Sequence, residues 1–223
     1  MTEDAVRLSV NIFTSLDGVV QGPGGPEEDT RGGFTEGGWF VPFTTDPVFG
    51  EVVDGWFAEV DAFLLGRTTY DMFWASWGQV TDPDDALAAR IDAGPRYVVS
   101  STLRDPEWAG TTVIDPADDA DLAARVQELK DGPDGELQVH GSARLASTLH
   151  DLGLVDVWRL VVAPVVVGSG ARLFDDGAAP SGFAVTRSRI GESGLVFLDL
   201  EPRPLRHGTA DVVDGSQSVR VED

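Results

Sequence analysis

Apolar and polar residues alternate over residues 6–14, with Val6, Leu8, Val10 and Ile12 on one face, and this period of two predicts a first strand. Ala62-Phe63-Leu64-Leu65 is a continuous apolar run of the kind found in strands buried on both faces. Arg96-Tyr97-Val98-Val99 reads the same way, Thr111–Ile114 is a brief strand, and Leu137 and Val139 mark another. The run 155–167 is almost wholly apolar until Pro164 interrupts it, which predicts a bulge or an edge there. Residues 183–190 and 195–200, joined by Gly191-Glu192-Ser193-Gly194, predict an antiparallel hairpin.

Helical periods fall between these strands. Asp46 followed by Pro47 is an N-cap with proline at the first helical position, opening a helix to about Glu59. Shorter helices are expected after Gly66, to about Trp74, and over 86–91, and an amphipathic helix over 121–130. Leu145, Leu149 and Leu152 share one face of a last helix, with Gly153 as its stop. Residues 22–38 are too rich in glycine, proline and charge for regular structure. Gly132-Pro133-Asp134-Gly135 reads as a turn, and from Pro202 the chain is polar and aperiodic. The pattern predicts one α/β domain over 1–201, a mixed and mostly parallel sheet with helices on both faces and an antiparallel C-terminal hairpin, followed by a polar tail over 202–223.

Composition narrows the chemistry. The formal net charge of −22 repels nucleic acid and anionic membranes, so neither is an expected partner. Without cysteine there are no disulfides, thiolate ligands or Cys nucleophiles, and the three histidines are too scattered to form a metal set. The acidic start and the lack of a membrane-length apolar run lead to the expectation of a cytoplasmic protein.

Three strand ends carry the candidate chemistry. Gly141-Ser142-Ala143-Arg144 takes a strand through small residues into a helix, leaving backbone N–H groups free for an anion such as a phosphate, or simply forming a tight turn. Gly66-Arg67-Thr68-Thr69 is a second such turn, whose arginine either grips a phosphate or pairs with a nearby carboxylate. Ser100-Ser101 closes a third strand with hydroxyls. At the end of the long loop, Trp39 and Phe40 offer a flat wall for a planar ligand or anchor the loop on the core. His140 reads as half-buried packing.

In this order the motifs resemble the dihydrofolate reductase-like fold. More closely, they are similar to bacterial proteins related to the reductase domain of the bifunctional riboflavin biosynthesis enzyme. Ser15-Leu16-Asp17-Gly18, Gly37-Gly38-Trp39, Leu65 to Tyr70, Val139-His140-Gly141-Ser142, Pro164-Val165 and Gly168-Ser169-Gly170 with Leu173-Phe174 carry the resemblance, which runs over 6–200. It implies NADPH as cofactor. Arg67 in the Gly66 to Thr69 turn would meet the adenosine 2′-phosphate with help from Ser100 and Ser101, and Gly141, Ser142, Ala143 and Arg144 would hold the pyrophosphate. Ser142 and Ala143 stand where the folate enzymes usually have glycine, which would set the pyrophosphate slightly farther out.

The resemblance further implies hydride transfer to a small heterocycle, foremost a ribosylaminopyrimidine-type intermediate of riboflavin synthesis. The alternatives are a pterin, folate or xenobiotic reductase, or a nucleotide-binding protein without turnover. Asp17 and Glu51 are the candidate acids. The carboxylate that folate reductases place on the helix after the lid loop would fall at about Gly50, one residue before Glu51. For Asp17 the alternative is a turn-forming residue before Gly18. Asn11, Ser15 and Trp39 are the candidate substrate contacts. A homodimer is also expected, with the run 155–167 and the following hairpin as its face.

Overall fold

Both faces of the first strand, β1 (Arg7–Ser15), are buried, which puts it near the middle of the sheet. Leu8, Val10 and Ile12 point to one side and Ser9 and Asn11 to the other. The computed structural model describes residues 6–82, 84–132, 135–213 and 216–221. After β1 come α1 (Pro47–Glu59), β2 (Ala62–Gly66), α2 (Arg67–Ser76), α3 (Ala86–Ala93), β3 (Arg96–Val99), β4 (Thr111–Ile114) and α4 (Asp119–Lys130). Then follow β5 (Glu136–His140), α5 (Ala143–Asp151), β6 (Val157–Ala163), β7 (Gly182–Ile190), β8 (Val196–Arg203), β9 (Gly208–Val213) and β10 (Ser216–Val221). Eight strands form one sheet in the order β4-β3-β2-β5-β1-β6-β8-β7, parallel from β4 to β6 and antiparallel at β8 and β7.

Helices cover both faces. On one face Leu122 and Val126 of α4 and Leu145 and Leu149 of α5 pack against Leu8, Val10, Leu64, Leu137 and Val139. On the other, α1 lies across the middle. Phe57 turns to Phe63 and Leu65 of β2, and Trp56, about 100° around the helix, turns to Val161 of β6 and Phe197 of β8. The end of α5 shows how a sequence signal becomes geometry. Gly153 is left-handed (φ 66°), its N–H bonds to the His150 carbonyl, and the Leu154 N–H reaches back to Leu149.

Three expectations change. The region after Pro202 is not aperiodic: β8 runs to Arg203, and β9 and β10 pair antiparallel as a separate exposed hairpin. Within the run 155–167, β6 is an inner strand between β1 and β8, Pro164 follows its last residue, and Val166 beyond it is exposed. In the hairpin that follows, β7 is an edge strand of the sheet. Within 22–38 the structure finds a 3-10 turn at Arg31–Gly33. The turn expected at 132–135 includes Pro133 and Asp134, which lie outside the described residues. No helix among the described residues is long and apolar enough to cross a membrane.

Candidate cofactor and substrate site

Strands β3, β2 and β5 are neighbours, so their C-terminal ends bring Ser100, Gly66 and Gly141 to one edge of the sheet. Two of these turns are joined directly. The Ser142 hydroxyl accepts the Gly66 N–H at 3.0 Å and bonds the Thr69 hydroxyl at 2.6 Å. Ser142 is left-handed (φ 53°), as is Gly141 before it (φ 56°). A glycine would take that backbone more easily, but only a hydroxyl can make this tie. The serine therefore substitutes for the usual glycine with a structural task, and its side chain is spent on the neighbouring turn.

The starts of the helices divide into two kinds. α1, α3 and α4 are each capped by an aspartate, with Asp46, Asp85 and Asp118 accepting a first-turn N–H. α2 and α5 have no side-chain cap and no acid in the first turn. Instead each carries an arginine there, Arg67 or Arg144, where the helix dipole disfavours a cation. An anion bound between them turns that cost into attraction. Arg144 is exposed and makes no ion pair among the described residues. Arg67 is paired, as one reading of the sequence anticipated, but only its Nε is engaged, at 2.8 and 2.9 Å from the two Asp71 oxygens. The terminal fork of its guanidinium stays open.

Other expected cofactor groups are placed as follows. Thr68 is exposed at the α2 start, while Thr69 is buried and bound to Ser142. Ala143 begins α5. Ser101 is exposed, whereas the buried Ser100 hydroxyl accepts the Thr102 and Leu103 N–H groups and holds its own turn.

Both candidate acids are engaged by other groups of the chain. Asp17 accepts the Ser15 hydroxyl at 2.6 Å and the Val167 and Gly168 N–H groups at 3.0 and 2.8 Å. These bonds, led by Ser15, hold its pKa well below the usual carboxylate range. It clamps the end of β1 to the loop after β6 and holds no proton to give. Glu51 lies over the β8 and β7 end of the sheet, where Arg189 pairs with it at 2.9 Å and lowers its pKa. Asp54 is exposed.

The substrate candidates fare similarly. The Ser15 hydroxyl is buried and also accepts the Val19 N–H. The Trp39 indole N–H is tied to the Gln21 carbonyl at 2.8 Å, and its ring meets Phe40 edge-on. Phe40 itself is core, stacked on Phe13 with ring centres 4.5 Å apart. The anchoring role of this pair is thus the one observed. The long loop is closed at its neck by the Gly38 N–H on the Gly22 carbonyl, and a side chain on Gly37 would run into the Gly25 and Pro26 backbone. Gln21 ties it further, donating to the Asp29 and Arg31 carbonyls and accepting the Ala171 N–H.

Asn11 is buried on the α1 face beside His140, and its Oδ1 has no partner. It begins a polar layer that the sequence reading missed. Gln138 receives the His140 Nε2–H at 2.8 Å and donates to Glu136, which also accepts from Arg7, Ser9 and Arg159. Gln138 spends its own N–H groups on Glu136 and the Trp56 carbonyl, so its oxygen needs a donor and fixes the Nε2–H tautomer of His140. Burial first, then Arg159, lowers the His140 pKa to about 3. In the unfolded chain the imidazole takes a proton below its ordinary 6.5, so the unfolded state binds more protons between 6.5 and 3. Stability should therefore decrease as the pH is lowered through that window, by up to about 1.4 kcal/mol per pH unit. Urea midpoints measured from about pH 7 to about pH 5 should show this slope in the parent and a flatter one in His140→Phe.

A mixed, mostly parallel eight-stranded sheet with an antiparallel edge, flanked by helices on both faces, is the dihydrofolate reductase-like fold. The family model of the RibD C-terminal domain matches residues 7–197, and the chain belongs to that family of reductases. The uncharacterized protein YyaP of Bacillus subtilis (strain 168) is 28% identical over 196 residues, covering 85% of this chain and 92% of its own. Among solved structures, a putative riboflavin biosynthesis protein from Shewanella superposes with a TM-score of 0.60 at 20% identity, over 89% of this chain and 99% of that one. Dihydrofolate reductase of Enterococcus faecalis, complexed with NADP(H), gives 0.55 at 12% identity over 89% and 98%. RibD of Acinetobacter baumannii gives 0.55 at 16%, over 89% of this chain and 58% of its own. The family match ends before the β9–β10 hairpin, which is additional to it.

Proposed function

We propose that the protein is an NADPH-dependent reductase that transfers hydride to a carbonyl or imine carbon of a small heterocycle. The observation that carries this reading is the pair of arginines at the uncapped starts of α2 and α5, on neighbouring turns joined by Ser142. The pyrophosphate lies on the N–H groups of the α5 start beside Arg144, and the Arg67 fork receives the 2′-phosphate. The cofactor supplies the hydride when bound. The chain positions it and shields the reacting face with the loop over 22–38. Since Asp17 and Glu51 are held as carboxylates by other partners, water brings the proton.

Membership of the RibD C-terminal domain family favours a ribosylaminopyrimidine of the riboflavin pathway as the substrate class. The test is fluorescence titration of the purified chain with NADPH and NADH, then NADPH consumption with a panel of pyrimidine, pterin and folate substrates. Saturable binding that prefers NADPH, with turnover on a pyrimidine, is the expected result. Binding without turnover on any member leaves a nucleotide-binding protein, and no binding removes the reading.

A further inference from the structure

A cavity of about 220 Å³ lies on the far side of α1 from the nucleotide turns, between that helix and strands β6, β8 and β7. Three features show that its opening is built rather than left over. First, β7 has a bulge between Val185 and Arg187. Thr186 is the extra residue, and it shifts the alternation so that Arg187 stands opposite Asp199 and Arg189 opposite Phe197. Without the bulge both arginines would point to the other face of the sheet. Second, Gly55 lies in the interior of α1, where glycine weakens a helix, and a Cβ there would meet no atom within 4 Å. Packing does not require it, and its absence of side chain keeps the lip open. Third, the floor is apolar, formed by Trp56, Val52 and Phe197.

The charges around this floor are not equally occupied. Glu59 is answered by Arg159 at 2.6 Å, and Glu51 by Arg189 at 2.9 Å. Arg187 and Asp199 are different. Their side chains approach only to 3.7 Å and make no hydrogen bond, to each other or to any other described residue. Burial raises the Asp199 pKa despite Arg159 and Arg187 nearby, so its carboxylate is short of positive charge. A guanidinium and a carboxylate, paired across 3.7 Å with their hydrogen-bonding capacity unused, thus stand side by side above an apolar floor. An isolated anion would satisfy the first and repel the second, and an isolated cation the reverse.

We infer that this groove binds an α-amino acid with an apolar side chain. Its carboxylate meets the Arg187 fork, its ammonium meets Asp199, and its side chain lies on Trp56 and Phe197. The two charged groups of an α-amino acid are held close together, which suits a cation and a carboxylate separated by one short gap. The site is separate from the nucleotide turns and does not depend on what is reduced there.

Calorimetric titration of the full chain at fixed ionic strength tests this, with L-leucine as probe against N-acetyl-L-leucine (anion only) and L-leucinamide (cation only). Saturable binding of L-leucine is expected, with both analogues weaker by at least about tenfold. Arg187→Gln and Gly55→Leu should each abolish it while leaving NADPH affinity at the parent value and without lowering the unfolding midpoint, which Gly55→Leu should raise slightly. Should Gly55→Leu unfold, the exposed Arg187→Gln still decides. The inference is overturned if L-leucine shows no saturable heat, if N-acetyl-L-leucine binds equally well, or if Arg187→Gln binds like the parent.

Discussion

Replacing Glu136 by glutamine is expected to lower stability by about 3 kcal/mol, because it removes the buried one of the two carboxylates that answer the buried Arg159 guanidinium. Glu136 lies under α1 and accepts from Arg7, from the Ser9 hydroxyl at 2.9 Å, from Gln138 at 2.7 Å, and from two nitrogens of Arg159. Arg159 is itself buried and has only Glu59 besides. Burial acts to raise the Glu136 pKa, but Arg159, Arg7 and Ser9 outweigh it and the net direction is down. Its contribution is therefore complete above its ordinary pKa of 4.5 and is lost as pH falls below that. Glutamine keeps the shape but cannot neutralise Arg159. A loss of this size is a large share of the roughly 5–15 kcal/mol that holds a typical domain together. Urea unfolding of the variant measures it. Glu136→Met combined with Arg159→Met should recover a large part, since both charges leave together. A single variant within about 1 kcal/mol of the parent would show that the layer is solvated rather than buried.

That same layer marks where the sequence stops being legible. Arg7, Ser9 and Asn11 alternate with Leu8, Val10 and Ile12, and Glu136, Gln138 and His140 alternate with Leu137 and Val139. A period of two with polar alternate positions ordinarily means a solvated face. Here α1 covers it, a fact set by helix placement far along the chain. Local signals did better. Asp46-Pro47, Arg96–Val99, Thr111–Ile114 and Gly153 each fixed an element or its end from neighbouring residues alone. The β9–β10 hairpin escaped because its apolar residues, such as Val212 and Val219, remain exposed and no core periodicity builds up. The partners of the candidate acids were hidden for a related reason. Which side of α1 Glu51 faces depends on the helix's rotation, and its partner Arg189 is 138 residues away. The turns at Gly66 and Gly141 were visible as small residues between strand and helix, but the Ser142 tie between them was not.

Arg67→Ala is expected to raise the dissociation constant for NADPH by about 10- to 100-fold while changing that for NADH by no more than about twofold. The two cofactors differ only by the 2′-phosphate, so the ratio isolates what the arginine reads. Asp71 takes both of its hydrogen bonds from the Arg67 Nε, one helical turn away. That pairing orients the side chain and leaves both terminal nitrogens for a phosphate, in the planar fork that suits two oxygens at once. Lysine would keep the charge and lose the fork, so Arg67→Lys should fall between parent and alanine variant. Both side chains are substantially exposed, so the ion pair itself contributes little to folding and the unfolding midpoint should hardly move. The preference for NADPH should also shrink with added salt, since the contact is made at the surface. Fluorescence titration of both cofactors at two ionic strengths reads all of this. Equal weakening of NADPH and NADH would place Arg67 at the shared pyrophosphate. No change in either would leave it as the partner of Asp71 alone.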